Sequence, residues 1–153
     1  MSDATTALSP GRLEDGTHVY PVRVFWEDTD GAGIVYYANY LRFAERARTE
    51  LLRLLGVSQS DLWRDAGMAF AVRSCAIDYL SPAHLDDALE IHTHLTAVRG
   101  ASVEACQDVK RAGQSLARMR VRLACLDGNG CARRLPAPVR ADLASLLKQG
   151  KRA

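Results

Sequence analysis

A chain of 153 residues is long enough for one domain with a real core and too short for two ordinary ones. Its composition, 48% hydrophobic and 25% charged, is that of a globular protein, and a net charge of +2 is too weak to mark a nucleic-acid binder. No apolar run approaches the roughly 20 residues of a membrane-spanning helix, so no membrane span is expected.

Residues 1–16 are small, polar and Gly/Pro-containing, and predict a mobile N-terminal tail. They hold no signal-peptide apolar region, which points to the cytoplasm. The four cysteines (Cys75, Cys106, Cys125, Cys131) form no CxxC pair and read as reduced thiols. A single domain is expected over residues 17–150.

Residues 18–26, rich in Val, Tyr, Phe and Trp, predict a strand, with Pro21 suited to an edge or a strand start. Three acids in four residues follow (Glu27, Asp28, Asp30), then Gly31 and Gly33. Beyond them, residues 37–55 predict a long helix. Tyr40, Phe43, Ala44, Ala47, Leu51, Leu54 and Leu55 recur at three- and four-residue spacing. Glu45 and Glu50 are placed to pair with arginines on the other face. Gly56 reads as the C′ residue. Such a helix spans roughly 28 Å and needs a broad surface to cover its apolar stripe.

A short helix is expected at 58–66, capped by Ser58 or Ser60. Strands are expected at 70–80, Ala88–Val98, 102–110 and 115–126. In the last, Ala117, Met119, Val121, Leu123 and Cys125 alternate with Arg118, Arg120 and Arg122. Asp127-Gly128-Asn129-Gly130 is a hairpin turn, and residues 131–135 pair back briefly. A final helix starts at 136–138 and ends at Gly150. One long helix plus a run of antiparallel strands is an α+β domain, most simply a sheet wrapped around the helix.

The acidic loop carries the chemistry. Its acids stand at the end of a strand, its glycines permit tight turning, and the following helix points unpaired N–H groups back at it. Helix N-termini hold anions and polarised oxygens. A carboxylate facing such donors is equipped for hydrolysis.

The run Asp28-Thr29-Asp30-Gly31-Ala32-Gly33-Ile34-Val35-Tyr36-Tyr37-Ala38-Asn39-Tyr40, continuing through Phe43 and Glu45-Arg46-Ala47-Arg48-Thr49-Glu50, resembles the hot-dog fold acyl-CoA thioesterases. Within them it is most similar to the Tol–Pal-associated (YbgC-type) subgroup, a sister of the 4-hydroxybenzoyl-CoA thioesterases. The similarity continues through Asp78-Tyr79-Leu80-Ser81-Pro82-Ala83 and Arg99-Gly100-Ala101-Ser102 and covers residues 20–137. It implies a hot-dog fold, a homodimer or tetramer with active sites between subunits, and an acyl-CoA or acyl-carrier-protein thioester as substrate. Asp30 matches the family's catalytic carboxylate, the backbone N–H of Tyr37 its carbonyl-polarising donor, and Arg99 a basic turn that meets CoA phosphates. Tyr37 stands where many YbgC-type members have histidine, a change the backbone donor survives.

A thioester is already activated, so one carboxylate acting as general base or nucleophile suffices, with no cofactor or metal. Asp30, Gly33 and Tyr37 supply base, turn and oxyanion donor within eight residues. Each residue also has a plainer reading. By itself Asp30 reads rather as a turn or N-cap aspartate, and it is the resemblance that makes it catalytic; Asp28 is better suited to bracing the loop. Tyr36 and Tyr40 either line an acyl pocket or are core or interface aromatics. Glu45 is either a second catalytic acid or a helix-surface ion-pair partner. His92 and His94 share a strand face without a visible third metal ligand. The arginine row of the last strand finds its partners in Glu90, Glu104 or Asp108. A hot-dog hydratase would want a histidine near the loop, and none is there. The non-enzyme alternative is an acyl-thioester binding or scaffold protein associated with lipid metabolism or the cell envelope.

Overall fold

The computed structural model describes residues 8–152. Nine elements follow in order: β1 (Arg12–Glu14), β2 (Thr17–Arg23), α1 (Asn39–Leu54), α2 (Gln59–Ala66), β3 (Met68–Tyr79), β4 (Ala88–Val98), β5 (Ser102–Arg111), β6 (Gln114–Asp127) and α3 (Ala137–Arg152). A short 3-10 turn, Trp26–Asp28, leads from β2 into the acidic loop. The strands form one antiparallel sheet in the order β1-β2-β4-β5-β6-β3, with β3 at a free edge.

The period-two patterns decide which face is covered. Leu89, Ile91, Thr93 and Leu95 of β4 are buried, as are Val103, Ala105, Gln107 and Val109 of β5 and Ala117, Met119, Val121 and Cys125 of β6. Against this face α1 lays Tyr40, Phe43, Ala44 and Ala47, then Leu51 and Leu52. Val139, Leu143 and Leu146 of α3 join the second half of that core. The opposite face is polar. There Arg122 pairs with Glu104 and Arg118 with Asp108 at 3.6 Å, two of the expected partners, and His92 meets Glu90 at 3.3 Å. Among the described residues no cluster of three His, Cys, Asp or Glu is placed to hold a metal. No described helix is long and apolar enough to cross a membrane.

Several boundaries differ from those expected. The tail predicted for residues 1–16 contains β1, which pairs with β2 through Arg12↔Val19; residues 1–7 lie outside the described residues. The first long strand stops at Arg23, because the Asp28 carboxylate draws the Phe25 N–H into a turn at 2.8 Å. Helix α1 begins at Asn39, two residues late, since Tyr36 to Asn39 is a turn closed by Asn39 N–H to Tyr36 O at 2.8 Å. Gly56 is the expected C′ glycine at φ +81°, and Ser58, of the two candidate caps, accepts from Asp61 N–H. The brief return pairing after the hairpin is one bridge, Leu126↔Ala132. Gly150 does not end α3, which runs on to Arg152. Its helix backbone instead lies against Gly16 in the β1–β2 turn, where a Cβ would come within 2.2 Å of Gly150 N.

Candidate active site

The acidic loop is a small hairpin built from its own side chains. Thr29 bridges to Val35, and Asp30 N–H donates to Ile34 O at 2.8 Å. Gly33, at φ +81°, returns its N–H to Asp30 O at 3.1 Å. Only a residue tolerant of left-handed backbone closes that turn without strain. The Asp30 side chain accepts the Ala32 N–H through Oδ1 at 2.8 Å. One carboxylate oxygen is therefore anchored in an Asx turn, and the other has no hydrogen-bond partner among the described residues. Asp30 is solvent-exposed at the loop tip.

Asp28 is buried and does the bracing expected of it. Its Oδ2 accepts Phe25 N–H, its Oδ1 accepts the Asn39 amide at 2.6 Å, and its carbonyl accepts Tyr36 N–H at 2.9 Å. The residue thus ties the strand end, the loop and the first turn of α1 together. From the other side, the segment after β3 holds the loop in place. Val35 N–H donates to Ala83 O at 2.8 Å, and Ile34 bridges to His84. That segment is pinned by Asp87, which accepts from His84 N–H at 2.8 Å and from Arg111 at 2.7 Å. Despite the desolvation of a partly covered carboxylate, these donors hold Asp87 below its ordinary ionisation range.

The Tyr37 side of the loop is equally well defined. Among the described residues none accepts a hydrogen bond from the Tyr37 N–H. Helix α1 also starts without a side-chain cap, its N-cap being Ala38. The Tyr79 hydroxyl donates to Tyr37 O at 2.7 Å, which fixes the orientation of the following peptide. Sequence reasoning missed Tyr79, although its position two residues before Ser81-Pro82 placed it at the end of the strand. The Tyr36 and Tyr37 rings are exposed and meet edge-on at 4.9 Å.

Two candidates lie elsewhere. Tyr40 is 3% exposed, its hydroxyl accepts Ala83 N–H at 3.2 Å, and its ring meets Tyr79 at 5.5 Å, so it backs the site from the core. Burial pushes its phenol up. Arg99 stands beyond the far end of β4, eleven residues from Ala88 and so roughly 35 Å along the strand from the loop. There it pairs with Glu104 at 3.1 Å, and Arg134 lies across the neighbouring Gly100. Within one chain, Asp30, Gly33, Tyr36 and Tyr37 come together and Arg99 does not join them. Glu45 makes none of the ion pairs expected of it among the described residues; Glu50 pairs with Arg53 at 3.4 Å.

A sheet wrapped on one face around a long helix, with a carboxylate loop set before the helix start, is the hot-dog architecture of thioester hydrolases. The chain belongs to the thioesterase-like superfamily, whose family model matches residues 24–147. It is 44% identical over 113 residues to the acyl-CoA thioesterase YbgC of Haemophilus influenzae, covering 74% of this chain and 83% of that one. It is 47% identical over 97 residues to the acyl-CoA thioester hydrolase YbgC of Escherichia coli O6:H1, covering 63% and 72%. Among solved structures, a probable thioesterase from Bartonella henselae aligns with a TM-score of 0.75 at 34% identity, covering 78% of this chain and 99% of that one. A 1,4-dihydroxy-2-naphthoyl-CoA thioesterase from Synechocystis aligns at 0.79 and 26%, covering 85% and 97%. By homology the chain is a thioester hydrolase.

Proposed function

We propose that the protein hydrolyses acyl-CoA thioesters to the free acid and CoA, with Asp30 as the catalytic carboxylate. The observation that carries this is the pairing of a half-anchored Asp30 carboxylate with an unused Tyr37 N–H on one braced loop. The thioester carbonyl oxygen accepts from Tyr37 N–H, which stabilises the oxyanion as it forms. The free oxygen of Asp30 takes a proton from a water as that water attacks the carbonyl, or attacks the carbonyl itself to give an acyl anhydride that water then cleaves to the free acid. The C–S bond breaks, and the thiolate of CoA leaves and is protonated. Gly33 shapes the turn, and Tyr36 flanks the mouth.

Strand β3 supports a second copy as partner. A twelve-residue edge strand with Val72, Tyr79 and Leu80 about half exposed is a surface that soluble proteins cover. Phe25 and Trp26, beside the loop, are 59% and 79% exposed. In a homodimer joined there, an Arg99 remote from its own loop has a route to the CoA phosphates bound by another subunit.

The test is thiol release over short, long and aromatic acyl-CoAs, with Asp30→Asn alongside. The amide keeps the Asx turn, because its oxygen still accepts Ala32 N–H, yet it is neither basic nor nucleophilic. A loss of about a hundredfold or more in kcat at an unchanged melting temperature is expected. Undiminished turnover in Asp30→Asn would falsify the assignment.

A further inference from the structure

The acidic run contains no histidine, yet the fold brings one beside it. Ile34, in the returning arm of the loop, bridges to His84 in the segment between β3 and β4, and Val35 N–H donates to Ala83 O at 2.8 Å. The outgoing arm meets the returning arm through Thr29↔Val35 and through Asp30 N–H to Ile34 O at 2.8 Å. The two registers continue one another. Thr29, Val35 and Ala83 form one row across three extended segments, and Asp30, Ile34 and His84 form the next. Successive rows point to opposite faces. Val35 and Ala83 are buried, so the first row faces the core. Asp30 and His84 are exposed with Ile34 half-buried between them, so the second row faces outward. The Asp30 carboxylate and the His84 imidazole therefore share one row on one face. Two strand spacings separate them, roughly 10 Å between backbones.

His84 is held where it stands. Ala83 N–H donates to the Tyr40 hydroxyl at 3.2 Å. Asp87 Oδ2 accepts the His84 N–H at 2.8 Å and is itself held by Arg111 at 2.7 Å, and Arg111 also donates to Pro82 O at 3.3 Å. Asp86 N–H to Val24 O and Val24 N–H to Asp87 O, both at 3.0 Å, fasten the segment to the chain leaving β2. The imidazole itself makes no hydrogen bond among the described residues. Its Nδ1 lies 3.9 Å from Asp87 Oδ2, an ion-pair distance, so the carboxylate backs that nitrogen and Nε2 is left without a partner.

A thioester site has a use for a proton at this place. When Asp30 attacks the carbonyl, the tetrahedral adduct carries a carboxylate and an alkyl thiolate as competing leaving groups. The carboxylate is the far weaker base and departs first, restoring the thioester, unless the sulfur is protonated as its bond breaks. When a water attacks instead, the same proton hastens the departure of the thiol. We propose that His84 is the general acid for the leaving thiol. The C–S electron pair goes to sulfur, sulfur takes the proton of the imidazolium Nε2–H, and the neutral imidazole recovers a proton from solvent. On the water route Asp30 returns to solvent the proton it drew from water, so thioester and water give acid and thiol. The inference rests on the thioesterase reading above and adds a residue to the same site.

Wild type, His84→Gln and His84→Arg are compared on the acyl-CoA turned over best in the panel above and on the S-phenyl thioester of the same acid. On the CoA thioester His84→Gln is expected to lose about tenfold or more in kcat with KM and melting temperature unchanged. His84→Arg restores charge but holds a proton it cannot give up, and loses as much. On the phenyl ester, whose thiolate leaves unaided, both variants keep the wild-type rate, whereas Asp30→Asn loses on both substrates. An undiminished kcat in His84→Gln, a wild-type rate in His84→Arg, or an equal loss on both thioesters overturns the inference and leaves the thioesterase reading standing. Where the phenyl ester is too poor a substrate to compare, the CoA series decides alone. No turnover of any acyl-CoA by wild type removes the proposed function and this inference with it.

Discussion

At the scale of single residues, the site separates holding from reacting. Asp28 and Asp30 are two positions apart, yet one is buried with both oxygens engaged and the other is exposed with one engaged. Tyr79 belongs with the holding residues. Its hydroxyl fixes the Tyr37 carbonyl, so Tyr79→Phe releases the peptide that follows the oxyanion donor. One hydrogen bond is worth about 1 kcal/mol. A fall in kcat of about fivefold, with little change in melting temperature because the ring is half exposed, is the expected outcome of steady-state kinetics and calorimetry. An unchanged kcat would mean that the loop holds this peptide without help. Asp28 already reads as a bracing residue in sequence, but the acidic run alone does not say what it braces. Asp28 and Asp30 are chemically alike, and burial together with the hydrogen bonds from the Asn39 amide and the Phe25 N–H is what distinguishes Asp28.

At the scale of elements, alternation made the strands legible. The inward rows of β4 and β6 are apolar in sequence and buried in the fold, because a sheet covered on one face must segregate its side chains this way. The same rule held a signal that passed unread: Gln107 interrupts the inward row Val103, Ala105, Val109, and a polar side chain there needs partners from whatever covers it. Those partners are α1's Ala44 carbonyl and Arg48, a residue that looked like one more member of a solvated arginine face. Boundaries were less legible: the end of β2 is set by the Asp28 carboxylate, which reads only as an acid of the loop, and the glycine inside α3 packs on Gly16 far along the chain. The edge strand gives the prediction at this scale. Val72→Lys sets a charge on the exposed inner side of β3 near Arg48, and desolvating it against a second copy is costly. Sedimentation velocity is expected to find a dimer for wild type and a monomer for Val72→Lys. An intact dimer in the variant would place the interface on another surface.

For the whole molecule, the pH dependence of stability has an identifiable internal source. His18 on β2 is fully buried; its Nε2 meets Pro10 O at 2.7 Å and its Nδ1 has no partner. Burial holds the imidazole below its ordinary range, opposed only in part by the Pro10 carbonyl and Glu50. The folded form therefore resists a proton that the unfolded chain accepts. This contribution is fully present above about pH 6.5 and is lost as pH falls from there through the lowered folded value. Thermal melts from pH 7.5 down to 5 should show wild type losing stability faster than His18→Gln. Parallel curves for the two proteins would assign acid sensitivity to other groups.

The helix start at Ala38 has a cost that is easily overlooked. At ordinary helix ends a serine or aspartate in extended backbone closes on the free amides and adds about 1 kcal/mol, whereas Ala38, at φ −75° and ψ −18°, is already helical and offers no such cap. The start of α1, next along the chain from the acidic loop, thus goes without a side-chain cap, while α2 carries its serine. In the proposed mechanism the free Tyr37 N–H meets the thioester carbonyl and holds it more strongly as it becomes an oxyanion. Stability withheld from the ground state thus reappears as selectivity for the transition state.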